Sequence, residues 1–195
     1  MVFIRALEQR IIAEGQILPG EVLKVGSFLN QQIDTKLVSE MGEEIARLYA
    51  CNSVTKVLTI ESSGIAIAYA AGVAMGLPVV FAKKHSTSNI SGNVLSSKVF
   101  SYTHQQTYDI VVSADYIKSD DTVLIVDDFL AKGNALNGLI EIVEKAGAKL
   151  AGCAIAIEKG FQGGGDGLRS KGIRVESLAI IDKMTDDSLE FRQQT

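Results

Sequence analysis

Asp127 and Asp128 stand side by side where an apolar run ends, in VLIVDDFLAKGNA, residues 123–135. Two adjacent carboxylates left unpaired inside a core are very costly. The expected place for them is therefore the carboxyl end of a strand, where they stay hydrated or meet a ligand. There they can accept hydrogen bonds from two neighbouring hydroxyls, such as a ribose 2′,3′-diol, or hold a hydrated Mg²⁺. Ala131, Lys132, Gly133, Asn134 and Ala135 then form a turn into a helix. Its free backbone N–H groups and the positive end of the helix dipole suit a phosphate. A diol receptor beside a phosphate cradle describes one ligand, a ribose 5-phosphate. The same pattern also fits a Walker B strand, an acidic metal site or a solvated strand end. No GxxxxGK[ST] occurs in the chain, which removes the nucleotide-triphosphatase version.

A second candidate anion site is Glu61-Ser62-Ser63-Gly64, between an apolar run and a small-residue segment. It reads either as a phosphate-binding βα turn or as a plain turn with serine as helix N-cap. Lys83, Lys84 and His85 form a third cluster, at the base of a polar Ser- and Asn-rich stretch, 85–98.

The elements that must hold these groups follow from periodicity. MVFIRALEQRIIAEG reads as an amphipathic helix with Ile4, Leu7, Ile11 and Ile12 on one face. Pro19-Gly20 marks a turn between short alternating flanks, and the first 33 residues suggest a small hood. Asp34 offers an N-cap for a helix carrying Leu37, Met41, Ile45 and Leu48. Strands are expected at 55–60, from Pro78, at 99–106 with 108–115 as a hairpin, and at 122–127, 150–159 and 174–181. Helices are expected at 64–76 and 134–146, and FQGGGDG reads as a loop. Apolar strands alternating with helices imply βαβ units, hence an α/β fold with a mostly parallel twisted sheet flanked by helices. Ligands of such sheets bind beyond the carboxyl ends of the strands.

Composition sets the outer bounds. With 195 residues, 47% apolar, the chain can form one domain, 1–195, with a sizeable core. A net charge of −4 argues against nucleic acid as main partner. No apolar run is long enough to span a bilayer, and the opening lacks a secretory pattern. Cys51 and Cys153 read as buried reduced thiols of a cytoplasmic protein. With only His85 and His104, a His-rich metal site is not expected.

Apolar strand, two acids, two residues and a small-residue loop resembles the phosphoribosyl-diphosphate (PRPP) signature of type I phosphoribosyltransferases. The common loop runs small–Thr–Gly–Gly–Thr. Here Ala131–Ala135 lacks both threonine hydroxyls, a departure of the kind seen in the xanthine branch. LKVGSFLNQQID (23–34), ESSGIA (61–66), VVFAKKH (79–85) and IEKGFQ (157–162) resemble that branch too, in order and across most of the chain.

The resemblance implies the type I phosphoribosyltransferase fold and transfer of phosphoribosyl from PRPP to xanthine, with Mg²⁺ accompanying PRPP, no membrane partner and a homodimer. It implies that Ala131–Ala135 takes the 5′-phosphate, Asp127 and Asp128 the ribose, and Ser62, Ser63, Gly64 and Lys84 the diphosphate. Residues 85–98 correspond to the family's mobile loop. Leu23, Asn30, Lys159 and Phe161 fall at the xanthine site. The alternatives are guanine or hypoxanthine as base, or a PRPP-sensing transcription regulator of the same fold.

Overall fold

The computed structural model describes residues 2–84, 93–101 and 106–193. Its order is α1 (Val2–Glu14), β1 (Gln16–Leu18), β2 (Val22–Lys24), a π-helical turn (Gly26–Asn30), α2 (Thr35–Leu48), β3 (Lys56–Ile60), α3 (Gly64–Met75) and β4 (Val79–Lys84). There follow β5 (Val94–Ser101), β6 (Gln106–Ser113), β7 (Thr122–Leu130), α4 (Asn134–Lys145), β8 (Lys149–Lys159), a 3₁₀ turn (Gly160–Gln162), α5 (Gly164–Ser170), β9 (Val175–Met184) and β10 (Leu189–Phe191).

Eight strands make the main sheet in the order β10-β9-β8-β7-β3-β4-β6-β5. The interior pairs β4-β3, β3-β7, β7-β8 and β8-β9 are parallel; β6, β5 and β10 join the edges antiparallel. The expected mostly parallel sheet is present. The interior strands VLTI and VLIV are apolar without alternation because both of their faces are covered.

Two apolar layers do the covering. α1, α2 and α3 bury Leu7, Ile11, Met41, Ile45, Ile67 and Ala71 on one face. α4 buries Leu136, Leu139, Ile142 and Val143 on the other. Each large side chain moved from water into these layers contributes about 2 kcal/mol. The helix ends follow local chemistry: Asp34 Oδ1 accepts from the Leu37 N–H at 3.1 Å, the expected N-cap of α2. Gly76, at φ +66, closes α3 in the left-handed conformation that glycine tolerates best.

Several expectations need correction. β7 does not stop at the acidic pair but runs on to Leu130, because β8 keeps pairing with it through Leu130↔Glu158. FQGGGDG is not a loop: it folds into the 3₁₀ turn and the start of α5. Residues 94–98 of the supposed mobile loop belong to β5, where pairing with β6 outweighs the poor strand composition; Asn93 precedes the strand, and 85–92 lie outside the described residues. Ile12 is 66% exposed, rotated off the buried stripe of α1. Cys51 is exposed, in the turn after α2; Cys153 is buried as expected. β10 has no expected counterpart.

Candidate active site

β3, β4, β7 and β8 run parallel, so their carboxyl ends open on one edge of the sheet, and each ends in a different functional segment. β3 delivers Glu61–Gly64, β4 delivers Lys84, β7 delivers the acidic pair and the Ala131–Ala135 turn, and β8 delivers Lys159.

The acidic pair sits inside the protein, with Asp127 only 5% exposed. Loss of hydration pushes its carboxyl well above the ordinary carboxylate value, and the Asp128 charge pushes it further. The Asp128 N–H, which donates to Asp127 Oδ1 at 3.0 Å, and the Lys84 ammonium pull the other way. Burial raises the Asp128 carboxyl as well, and the Asn30 side chain helps keep it ionised. A buried Asp127 and a half-buried Asp128, with the Lys84 ammonium near Asp127, make this a strongly interacting acidic pair.

Gly64 makes that crowding possible. A Cβ there would stand 2.4 Å from Thr59 Oγ1 and 2.7 Å from Asp127 Oδ1. The turn it closes is braced from β4: the Lys84 N–H donates to Glu61 Oε1 at 2.6 Å, and the Glu61 N–H to the Ala82 carbonyl at 3.0 Å. Ser63 occupies the N-cap position of α3 but makes no side-chain cap bond, so its hydroxyl is not used up in the way a plain capping serine would be. The Lys84 ammonium lies 5.9 Å from the Tyr108 ring.

After β7 the chain turns through Ala131–Gly133 into α4. Gly133, at φ +84, adopts a conformation that a side chain would oppose. Asn137 donates to the Gly133 carbonyl from both its N–H (2.9 Å) and its side chain (2.8 Å), and Asn134 Nδ2 donates to the Phe100 carbonyl at 2.9 Å. The first amides of α4 have no acceptor within the helix, which leaves them available to an anion.

The turn is also held from outside by a residue the motif does not contain. The Gly164 N–H donates to the Ala131 carbonyl at 3.1 Å, and a Cβ on Gly164 would stand 2.2 Å from that oxygen and 2.8 Å from the Gly133 nitrogen. The Gly163-Gly164-Gly165 run was the signal for such close approach, but sequence reading assigned it only to a loop.

Ala131–Ala135 and Lys159 line one cleft of about 490 Å³, together with Gly20, Glu21, Tyr108, Phe129 and Gln162. Lys159 Nζ donates to the Glu21 carbonyl at 2.6 Å and lies 5.9 Å from the centre of the Phe129 ring. Burial lowers its affinity for the proton, and Glu21 partly restores it. Behind it, Glu158 is fully buried between Arg169, which donates from Nη1 and Nη2 at 2.9 and 2.7 Å, and the Ser177 hydroxyl.

Of the expected residues only Ala131–Ala135 and Lys159 line this cleft; Ser62 and Ser63 line a different cavity of about 730 Å³, and Asp127, Asp128, Gly64 and Lys84 line neither. Leu23 pairs with Ile17 in the β1–β2 hairpin and is buried, edging a separate recess of about 440 Å³ that it shares with Asn30. Asn30 also borders Ser62 and Ser63. Phe161 packs partly buried against the core layer under α1–α3. His85 lies outside the described residues. Among the described residues, no cluster of three or more metal-ligating side chains occurs, and no helix is long and apolar enough to cross a membrane.

Known proteins match this arrangement. Residues 25–179 fit the phosphoribosyl transferase domain. The chain is 50% identical to a xanthine phosphoribosyltransferase of Ruminiclostridium cellulolyticum, over 96% of this chain and 98% of that one. It is 49% identical to the enzyme of that name from Lachnoclostridium phytofermentans, over 97% and 98%. Among solved structures, adenine phosphoribosyltransferase from Giardia lamblia, complexed with 9-deazaadenine, superposes with a TM-score of 0.75. It covers 89% of this chain and 96% of that one at 23% identity, a likeness of fold. With the domain match spanning most of the chain and near-full-length relatives at about half identity, the chain belongs to the phosphoribosyltransferase family.

Proposed function

We propose that this chain transfers the phosphoribosyl group of PRPP to a ring nitrogen of xanthine, releasing pyrophosphate and giving xanthosine 5′-monophosphate, a purine-salvage reaction. The observation that carries the reading is the one cleft lined by both the Ala131–Ala135 turn and Lys159, with Asp127 and Asp128 just before that turn on β7. The length and coverage of the match to enzymes of that name support the choice of base.

The C1–O bond to the diphosphate breaks as the ribose gains oxocarbenium character. Groups fixed in advance around that charge lower the barrier most. The turn at Ala131–Ala135 anchors the 5′-phosphate through backbone N–H groups. Asp127 and Asp128 accept the ribose hydroxyls, and their charge favours the cationic ribosyl centre. Ser62, Ser63 and Gly64, with Lys84, receive the departing diphosphate. Asp127 and Asp128 would meet a hydrated Mg²⁺ carried by PRPP, which would supply charge neutralisation at the diphosphate; among the described residues no cluster of three or more ligating side chains forms a cage for it. Lys159 donates to an exocyclic oxygen of the base, which favours an oxopurine over adenine with its C6 amino group. Asn30 is proposed for the ring edge, Leu23 and Phe161 for apolar support behind it.

We also propose that the chain works as a cytoplasmic homodimer. Exposed Tyr69 and Val73 on α3 and Ile33 offer an apolar face to a second copy, beside Ser62 and Ser63. Sedimentation of a monomer at micromolar concentration would remove that part.

The deciding experiment is turnover of xanthine, guanine, hypoxanthine and adenine, each with PRPP and Mg²⁺, followed by nucleotide and pyrophosphate. Preference for xanthine is expected. Preference for another base would overturn the role of Lys159 but leave the PRPP end intact. PRPP binding without turnover on any base would point to a regulator.

A further inference from the structure

The tip of the β1–β2 hairpin touches the 159–162 segment twice through one residue. The Glu21 carbonyl accepts from Lys159 Nζ at 2.6 Å, and the Glu21 carboxylate accepts from Gln162 Nε2 at 2.6 Å. Glu21 stands at φ +62, a left-handed conformation disfavoured for a residue with a side chain. That conformation lets main chain and side chain of one residue reach the same segment. Gly20, Glu21 and Val22 thereby form one wall of the cleft that holds the phosphate turn, Phe129, Lys159 and Gln162.

We propose that Glu21 and Gln162 form a latch that sets base affinity by fixing the hood on the 159–162 segment and so aiming the Lys159 ammonium. Glu21 lies outside the stretches that carry the family resemblance, Gln162 closes one of them, IEKGFQ, with no role assigned to it there, and the inference rests on the function proposed above. A free lysine carries a flexible four-carbon stem whose ordering opposes binding. With one of its three donors tied to the Glu21 carbonyl and its ammonium 5.9 Å from the centre of the Phe129 ring, Lys159 is ordered before the base arrives. Preorganisation of this kind improves affinity without adding a contact to the ligand. The latch touches only the hood end of the cleft; the Glu61–Gly64 turn and the Ala131–Ala135 turn are braced separately, from β4 and α4. It should therefore act on the base and not on PRPP.

The test measures KM for xanthine and KM for PRPP separately in Glu21→Ala, Gln162→Ala, the double variant and Glu21→Gln, with melting temperatures for all. Each single alanine variant should raise KM for xanthine roughly three- to tenfold, the scale of one lost hydrogen bond. KM for PRPP should stay within about twofold, and the double variant should be no worse than the worse single, as for residues of one unit. Glu21→Gln, whose amide oxygen can still accept from Gln162, should stay near the unsubstituted chain. An unchanged KM for xanthine in both alanine variants would overturn the latch. So would an equal rise in both KM values with a lowered melting temperature, the mark of a merely structural contact. If the unsubstituted chain turned over no base at all, the function reading would fail first and the latch with it; turnover of xanthine with unaltered variants would sink the latch alone.

Discussion

The two ends of the cleft are built differently. At the proposed PRPP end, strand, acidic pair, turn and helix are consecutive in the chain, and the proposed working groups are main-chain amides plus two carboxylates on a strand paired on both sides. At the base end, the contacts join residues far apart in sequence, Lys159 and Gln162 reaching Glu21 across 138 and 141 positions. There the proposed working groups are long side chains at the end of β8 and in the turn after it, held against the tip of the β1–β2 hairpin. A reactive centre gains most from rigidity, because small misplacements cost rate. A base site gains from elements that can open, admit a flat ring and close.

The largest effect that would sharpen this contrast comes from the acidic pair. Asp127→Asn with Asp128→Asn should lower kcat/KM for PRPP by roughly three orders of magnitude, since charge facing the transition state is lost. The same variant should be more stable at neutral pH. Asp127 is held above its ordinary value by burial, so folding favours its protonated form. That contribution is fully present below the unfolded value near 3.8 and is lost as pH rises toward the raised folded value. Melting curves across pH check this: an unsubstituted chain that gains on the variant at low pH agrees, and a variant less stable at pH 7 breaks the assignment.

A smaller effect is expected where the two ends are joined. Gly164→Ala would press a methyl group on the Ala131 carbonyl. The phosphate turn should shift and KM for PRPP rise by roughly one to two orders of magnitude, as for a displacement of about 1 Å at a reacting site. Kinetics indistinguishable from the unsubstituted chain would mean that the turn has slack that the sheet does not suggest.

A change of the same size, but on the other substrate, belongs to the base end. Lys159→Ala should reduce kcat/KM for xanthine by roughly 10- to 100-fold, the range of one charge-assisted hydrogen bond, with PRPP affinity kept. Equal losses for both substrates would make Lys159 a structural prop, and the contrast between the two ends would weaken.

Much of this was written in local sequence. Apolar runs of strand length alternating with helical periodicity give the parallel sheet, and VLIVDDFLAKGNA carries strand, acids and turn in one segment, because a βα unit is a local object whose parts are fixed by neighbours in the chain. Asp34 as a cap and Pro19-Gly20 as a turn were legible for the same reason. The sequence did not tell that β7 would run past Asp127: strand length is set by the partner strand, and β8 sits more than twenty positions away. It did not tell that FQGGGDG would fold into a helix buttressing the phosphate turn, since glycine predicts freedom and not the packing that uses it. Leu23 and Phe161 carry an apolar signature that core and ligand wall share, and only the fold assigned their side chains to packing outside the cleft. Sequence alone thus determined the sheet, the acidic pair and the anion turn, all products of short-range periodicity and chirality. Tertiary structure decided the burial of the carboxylates, the bracing by Gly164 and the meeting of Glu21 with Lys159 and Gln162, because each depends on contacts between segments that no local pattern encodes.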